Sequence, residues 1–215
     1  MRTSTGLFTG IFGSFAVSCF VLVLIPQMQL GTLTEYVDEE AGDRYPVLNT
    51  RPGRSIYIRE GCYYCHSQQI RDPQNGADIE RGWGVRRTVA RDYLFENPPL
   101  LGSSRMGPDL ANAGSPTWRN EPEGDLRKPA KRDAKWHLQH LYNPRLIITE
   151  SNMPAYPWLF KEERIGSVVS SEAVAVDREK GMQVVPTAEA KQLVDYLLSL
   201  DRSRSLPEAK VTAAA

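Results

Sequence analysis

Residues 6–25, GLFTGIFGSFAVSCFVLVLI, form twenty consecutive positions with no charge and no proline. At ~1.5 Å per residue a helix of that length spans about 30 Å, the thickness of a bilayer's hydrocarbon core, so the stretch is read as a single membrane-crossing helix. A cleaved signal peptide is the competing reading. Its apolar region would be about 7 to 15 residues followed by a small-residue cleavage site, whereas here the chain runs on into PQMQLGTLTEY. An uncleaved anchor fits better. Residues 1–34 contain only Arg2 as a charge, and Glu35, Asp38, Glu39, Glu40 and Asp43 outweigh Arg44 beyond them. That asymmetry favours the amino terminus inside and the bulk of the chain outside. Gly6 and Gly10 form a GxxxG pair, which lets a second helix approach closely; small residues are also common in any membrane helix.

After Thr34 the chain reads as ordinary soluble protein. The whole is 41% hydrophobic and 24% charged with a formal net charge of zero, which allows a buried core and argues against nucleic acid as a partner. Residues 35–50 are acidic and turn-rich, a stalk between an anchor at 1–34 and a globular domain at 51–205. A short helix is expected within 51–61, and mostly loop from Pro98 to Pro129. TAEAKQLVDYLLSLD, 187–201, places Ala190, Leu193, Val194, Leu197 and Leu198 at helical spacing behind a candidate N-cap at Thr187. The tail 206–215 is expected to fray.

The chemistry concentrates in GCYYCHSQQIR, 61–71. The chain has only three cysteines and three histidines, and two of the former and one of the latter fall within five positions. A structural zinc site needs four ligands; beyond Cys62, Cys65 and His66 there remain Cys19 in the apolar run, His137, His140 or a carboxylate, a poor set. A thioredoxin-like CxxC needs a βαβ context that is missing here. Cys62, Cys65 and His66 instead make the CxxCH pattern of c-type haem attachment. Two thiols add to the haem vinyl groups and the adjacent histidine becomes an axial iron ligand. One such motif implies one covalently bound haem c. For the sixth position the candidates are Met106, Met153, Met182, His137 and His140. Met153, flanked by Pro154, Tyr156, Pro157 and Trp158, sits in the stiffest and most apolar setting, and a thioether suits an electron carrier.

Taken together, REGCYYCHSQQIR, GSSRMGPDLANAG, WHLQHLYNPR, ESNMPAYPWL and the amino-terminal anchor resemble the mono-haem subunit II of cbb3-type cytochrome c oxidases, the FixO/CcoO family. The resemblance implies an all-α fold: one transmembrane helix plus a class I cytochrome c domain with long loops. It implies a bacterial cytoplasmic membrane, with the haem domain on the periplasmic side. Partners would be the catalytic haem-copper subunit, a further cytochrome c subunit as electron donor, and the lipid bilayer. Cys62 and Cys65 would hold haem, His66 and Met153 would ligate its iron, and the Pro108 carbonyl would accept a hydrogen bond from the His66 ring. Segments 72–101 and 117–135 depart from the family pattern. Arg127, Lys128, Lys131, Arg132 and Lys135 read as a solvated loop or as a surface that steers an acidic partner. Three histidines, one of them in CxxCH, are too few for a haem-copper centre, so no catalytic site is assigned to this chain. The anchored mono-haem subunit of a nitric oxide reductase, or a haem enzyme or sensor with an open sixth position, are the alternatives.

Overall fold

The computed structural model describes residues 2–38, 42, 44–46, 52–118, 132–176 and 179–211. They fall into two compact units, residues 1–47 with 90–95, and residues 48–89 with 96–215. Arg127, Lys128, Lys131 and most of the 117–135 segment lie outside the described residues.

The first unit opens with a continuous helix built from α1 (Arg2–Cys19), a wide π-type turn (Phe20–Leu24) and α2 (Ile25–Leu30). The apolar run therefore does not end its helix at Ile25. Pro26 lacks an N–H and its ring crowds the carbonyl four residues back, and the helix accommodates this by widening just before it. Ser4–Leu30 are long and apolar enough to cross a membrane, and none of the span is buried against other protein. Within the expected stalk, β1 (Tyr36–Val37) pairs antiparallel with β2 (Arg44–Tyr45). Arg44 forms an ion pair with Glu35 at 2.9 Å, and the buried Tyr45 hydroxyl donates to Asp92 at 2.5 Å.

The second unit packs α3 (Gly53–Arg59), α4 (Ala134–Tyr142) and α5 (Ala188–Leu198) around one apolar core. As the spacing predicts, Thr187 caps α5 by accepting from Ala190 N–H, and Ala190, Leu193, Val194 and Leu197 are buried. Tyr196, absent from that apolar stripe, is buried too, against Tyr57 at 5.5 Å between ring centroids. The close crossing of α3 and α5 depends on Gly53, where a Cβ would stand 1.9 Å from the Gln192 carbonyl oxygen.

An antiparallel hairpin, β3 (Phe160–Arg164) with β4 (Met182–Pro186), was not anticipated by the all-α expectation. It follows from what its residues bury: Phe160, Val184 and Pro186 face the core while the charged stretch 161–164 stays in solvent. The start of the tail also departs from expectation. Leu206 and Ala209 are buried and their backbones bond to each other, and Glu208 accepts from Arg87 at 2.9 Å, so 206–209 is docked rather than frayed.

Candidate functional site

Gly61 ends α3 in the left-handed conformation, φ 74°, which a side chain disfavours. Cys62–Tyr64 then form a 3-10 turn in which Cys65 and His66 N–H both donate to the Cys62 carbonyl, at 3.1 and 3.0 Å. The turn holds the two cysteines and His66 on the wall of one cavity of about 240 Å³, and neither thiol is in a disulfide. Burial, followed by the charge of Glu60, pushes the Cys62 thiol up to about 12.

A second segment runs alongside this turn. Gln68 N–H donates to Leu101, Ser103 N–H to Tyr63, Gly107 N–H to Cys65 and Leu110 N–H to Ser67, all between 2.8 and 3.0 Å. Across this ladder His66 Nδ1 lies 2.8 Å from the Pro108 carbonyl oxygen. A carbonyl only accepts, so Nδ1 carries the proton and Nε2 presents its lone pair. The imidazole lies directly over Gly107, where a Cβ would be 2.2 Å from His66 Cε1. Gly102, at φ 84°, leaves equally little room: its Cβ would meet the His66 carbonyl oxygen at 2.5 Å.

Behind the ladder sits Asp109. Its carboxylate accepts from Ser67 Oγ at 2.5 Å, Gln69 N–H at 2.7 Å and Ala111 N–H at 2.8 Å, tying the residues after His66 to those after Pro108. Burial pushes this carboxyl up despite those donors. Farther back the fully buried Asp78 accepts from Arg71 and Arg105, at 2.7 and 3.1 Å, and Arg105 also donates to the Gln69 carbonyl.

The remaining cavity wall comes from α4 and the loop beyond it. Trp136, His137 and His140 line it, as does Met153. The Trp136 ring stacks on His140 at 4.7 Å and meets His137 edge-on at 4.9 Å, while the Arg132 guanidinium lies over both Trp118 and Trp136. Burial, then the neighbouring His140 and Arg132, push His137 down to about 4, so it is neutral at pH 7. Met153 packs partly buried against the core, its N–H donating to Ser151 Oγ and its carbonyl accepting from Arg145. Met106 lies on the rim, 67% exposed, and Met182 begins β4 away from the cavity lining. Of the five sequence-derived site residues, Cys62, Cys65, His66, Pro108 and Met153, all line this one cavity. Sequence reasoning missed Gly107 and Asp109, although both flank Pro108 within the motif it singled out.

Among the described residues no cluster of three or more His, Cys, Asp or Glu gathers as a metal site. The arrangement defines a protein whose chemistry would reside in a bound group walled by thiols, an imidazole and a thioether. The chain matches the family described as cytochrome c oxidase, mono-haem subunit/FixO, over residues 2–196. It belongs to that family. No curated protein matches it significantly.

The residues fit the one haem that the family implies. The cavity is walled largely by apolar and aromatic side chains, has two thiols on one short turn, and holds an imidazole whose tautomer is set by Pro108 so that its lone pair remains on Nε2.

Proposed function

We propose that this chain is a membrane-anchored mono-haem c-type cytochrome that relays electrons to the catalytic haem-copper subunit of a cbb3-type oxidase. The observation that carries the reading is the shared cavity of Cys62, Cys65, His66 and Met153, with His66 Nδ1 bonded to the Pro108 carbonyl. Cys62 and Cys65 would hold the haem through thioethers, and His66 Nε2 and Met153 Sδ would ligate its iron. When bound, haem supplies a one-electron couple, which none of the side chains here provides by itself.

The protein's share of the work is positional. Pro108 orients the imidazole and raises its basicity, as outer partners of ligating histidines do. Gly107 lets the ring approach the backbone. The apolar wall around Met153 excludes water, which together with a thioether ligand favours a high reduction potential. The helix of α1 and α2 would anchor the chain in the bacterial cytoplasmic membrane, haem domain outside, and a further cytochrome c subunit would deliver electrons. A Cβ at Gly6 or Gly10 would meet nothing within 4 Å, leaving that helix face open to a partner helix.

Cys62→Ala and Cys65→Ala test the reading directly. Each is expected to lower covalently retained haem sharply on a haem-stained denaturing gel. Undiminished staining in both variants would sink it.

A further inference from the structure

The long amino-terminal helix does not lead into a bare stalk. Just past its end, segment 90–95 is fastened to the chain: the Arg91 guanidinium donates to the Thr34 carbonyl, and the Tyr45 hydroxyl donates to Asp92 at 2.5 Å. Leu33, Val37, Leu94 and Phe95 thereby line an open cleft of about 500 Å³ within the first compact unit, together with Arg44 and its ion-pair partner Glu35. Val37 is 48% exposed and Phe95 41%, and so the exposed apolar series of the helix, Met28 and Leu30, continues through Leu33 onto this cleft. A patch of that kind calls for a partner.

Height along the helix says which partner. From Leu7 to Ile25 the helix rises about 28 Å, which fills a hydrocarbon core, and Leu30 lies about 7.5 Å farther out, the depth of one headgroup layer. A tilt of about 20°, usual for such helices, brings the helix end inside that layer. The cleft therefore begins where lipid headgroups surround the chain. Its charge excludes electrostatic attraction as the cause: between 35 and 44, Glu35, Asp38, Glu39, Glu40 and Asp43 face only Arg44, a balance that anionic lipid would repel. Leucine, valine and phenylalanine next to Tyr36 and Tyr93 suit the boundary between headgroups and acyl chains. We propose that Leu33, Val37 and Phe95 rest in the headgroup layer of the outer leaflet, so that segment 90–95 is a second, peripheral membrane contact beside the anchor. The assignment rests on the reading of α1 and α2 as that anchor and is independent of the haem.

Photolabelling from the lipid tests this on the unmodified full-length chain, kept in whatever complex it purifies in and reconstituted into phosphatidylcholine vesicles. A phosphatidylcholine with a diazirine in its headgroup should leave adducts, mapped by mass spectrometry, on peptides containing 33–37 and 90–95. One with the diazirine at the end of its acyl chain should label only the span 7–25. Headgroup adducts on 26–30 with none on 90–95 would overturn the proposal, because that segment then faces water or another protein. Failure of the acyl-chain probe to label 7–25 would instead overturn the anchor reading, so the two failures are told apart. Phe95→Asp, and separately Val37→Asp, should cut labelling of 90–95 several-fold and leave labelling of 7–25 unchanged. Undiminished labelling of 90–95 in both variants, or labelling that arises only after anionic phosphatidylserine is added, would show that the apolar cleft does not make the contact.

Discussion

The two walls of the cavity are built on different physical principles. The wall made by 61–68 and 101–111 is held by main-chain hydrogen bonds, by the Asp109 carboxylate, and by contacts so close that Gly102 and Gly107 admit no side chain. The wall made by 132–159 is held by rings: Trp136 against His137 and His140, Tyr142 against Phe160, Tyr156 against Trp158. Hydrogen-bond ladders and backbone contact fix atoms within tenths of an ångström, while aromatic packing fixes volume and tolerates repacking. The histidine belongs to the first wall and the methionine to the second. Small changes on the first wall should therefore be punished structurally, and changes of similar size on the second should be felt mainly in the chemistry.

Gly107→Ala is the severest test. Its methyl group would overlap the His66 ring, 2.2 Å from Cε1, and the ring is also pinned by its 2.8 Å bond to Pro108, so the imidazole cannot yield without giving up that bond. Overpacking costs about 1–3 kcal/mol and the lost bond adds about 1 kcal/mol. We expect little holoprotein to accumulate, and what does should show altered axial ligation in its visible spectrum. Wild-type yield and spectrum would erase the contrast between the walls.

Met153→Leu is the counterpart on the other wall. The swap nearly conserves volume, so stability should fall by less than about 1.5 kcal/mol. The near-infrared band should vanish, the reduction potential should drop, and the reduced protein should bind carbon monoxide. Met106→Leu, at an exposed rim position, should leave all three unchanged. The reverse pattern would move the ligand to the segment beside Gly107.

How far the sequence reveals these walls follows from how local their causes are. The α5 helix is legible because Thr187 and its apolar stripe act within eleven residues, and the CxxCH turn because Gly61 through His66 form it almost alone. Pro108 was reachable only through resemblance, since its partner His66 lies 42 positions away. Asp109 has the same difficulty: a carboxylate just after Gly107 and Pro108 reads as a turn until Ser67 and Gln69 are seen on it. The β3–β4 hairpin escaped notice because four of the five β3 positions are exposed and charged in a row, with no alternation to mark a strand. Burial of Tyr196 likewise depends on Tyr57, far away in sequence and across the Gly53 contact.

Behind the first wall, Asp78 supplies a pH test of intermediate size. Burial pushes its carboxyl up, but Arg71, through its side chain and its backbone N–H, and then Arg105 outweigh this and hold it below its ordinary value of 3.8. The folded protein thus keeps Asp78 charged at a pH where the unfolded chain has taken up a proton. Its stabilisation is complete above pH 3.8 and is lost as pH falls through the lower folded value. Asp78→Asn should cost about 2 kcal/mol near neutral pH, the worth of hydrogen bonds to a charged group, and should flatten the acid limb of a stability–pH curve. Because Arg105 joins Asp78 to the Gln69 carbonyl, the haem spectrum should shift slightly as well. An unchanged acid limb would mean that these charges do not brace the ladder.

Trp118→Phe is expected to have the smallest effect, and it asks whether the two walls are coupled. The Trp118 indole N–H donates to the Asp109 carbonyl at 3.0 Å, while its ring stacks near His137 at 6.4 Å and under Arg132. One side chain therefore bonds to the first wall and packs against the second. Phenylalanine keeps most of the ring contact and removes the N–H, leaving the buried Asp109 carbonyl with one donor fewer, at a cost of about 1 kcal/mol. If the walls are independent, combining Trp118→Phe with Met153→Leu should give additive losses in thermal or denaturant unfolding. If Trp118 transmits position from the ladder to the methionine wall, the pair should depart from additivity by more than about 0.5 kcal/mol. Because ring packing tolerates repacking while the hydrogen bond does not, additivity is the expected outcome.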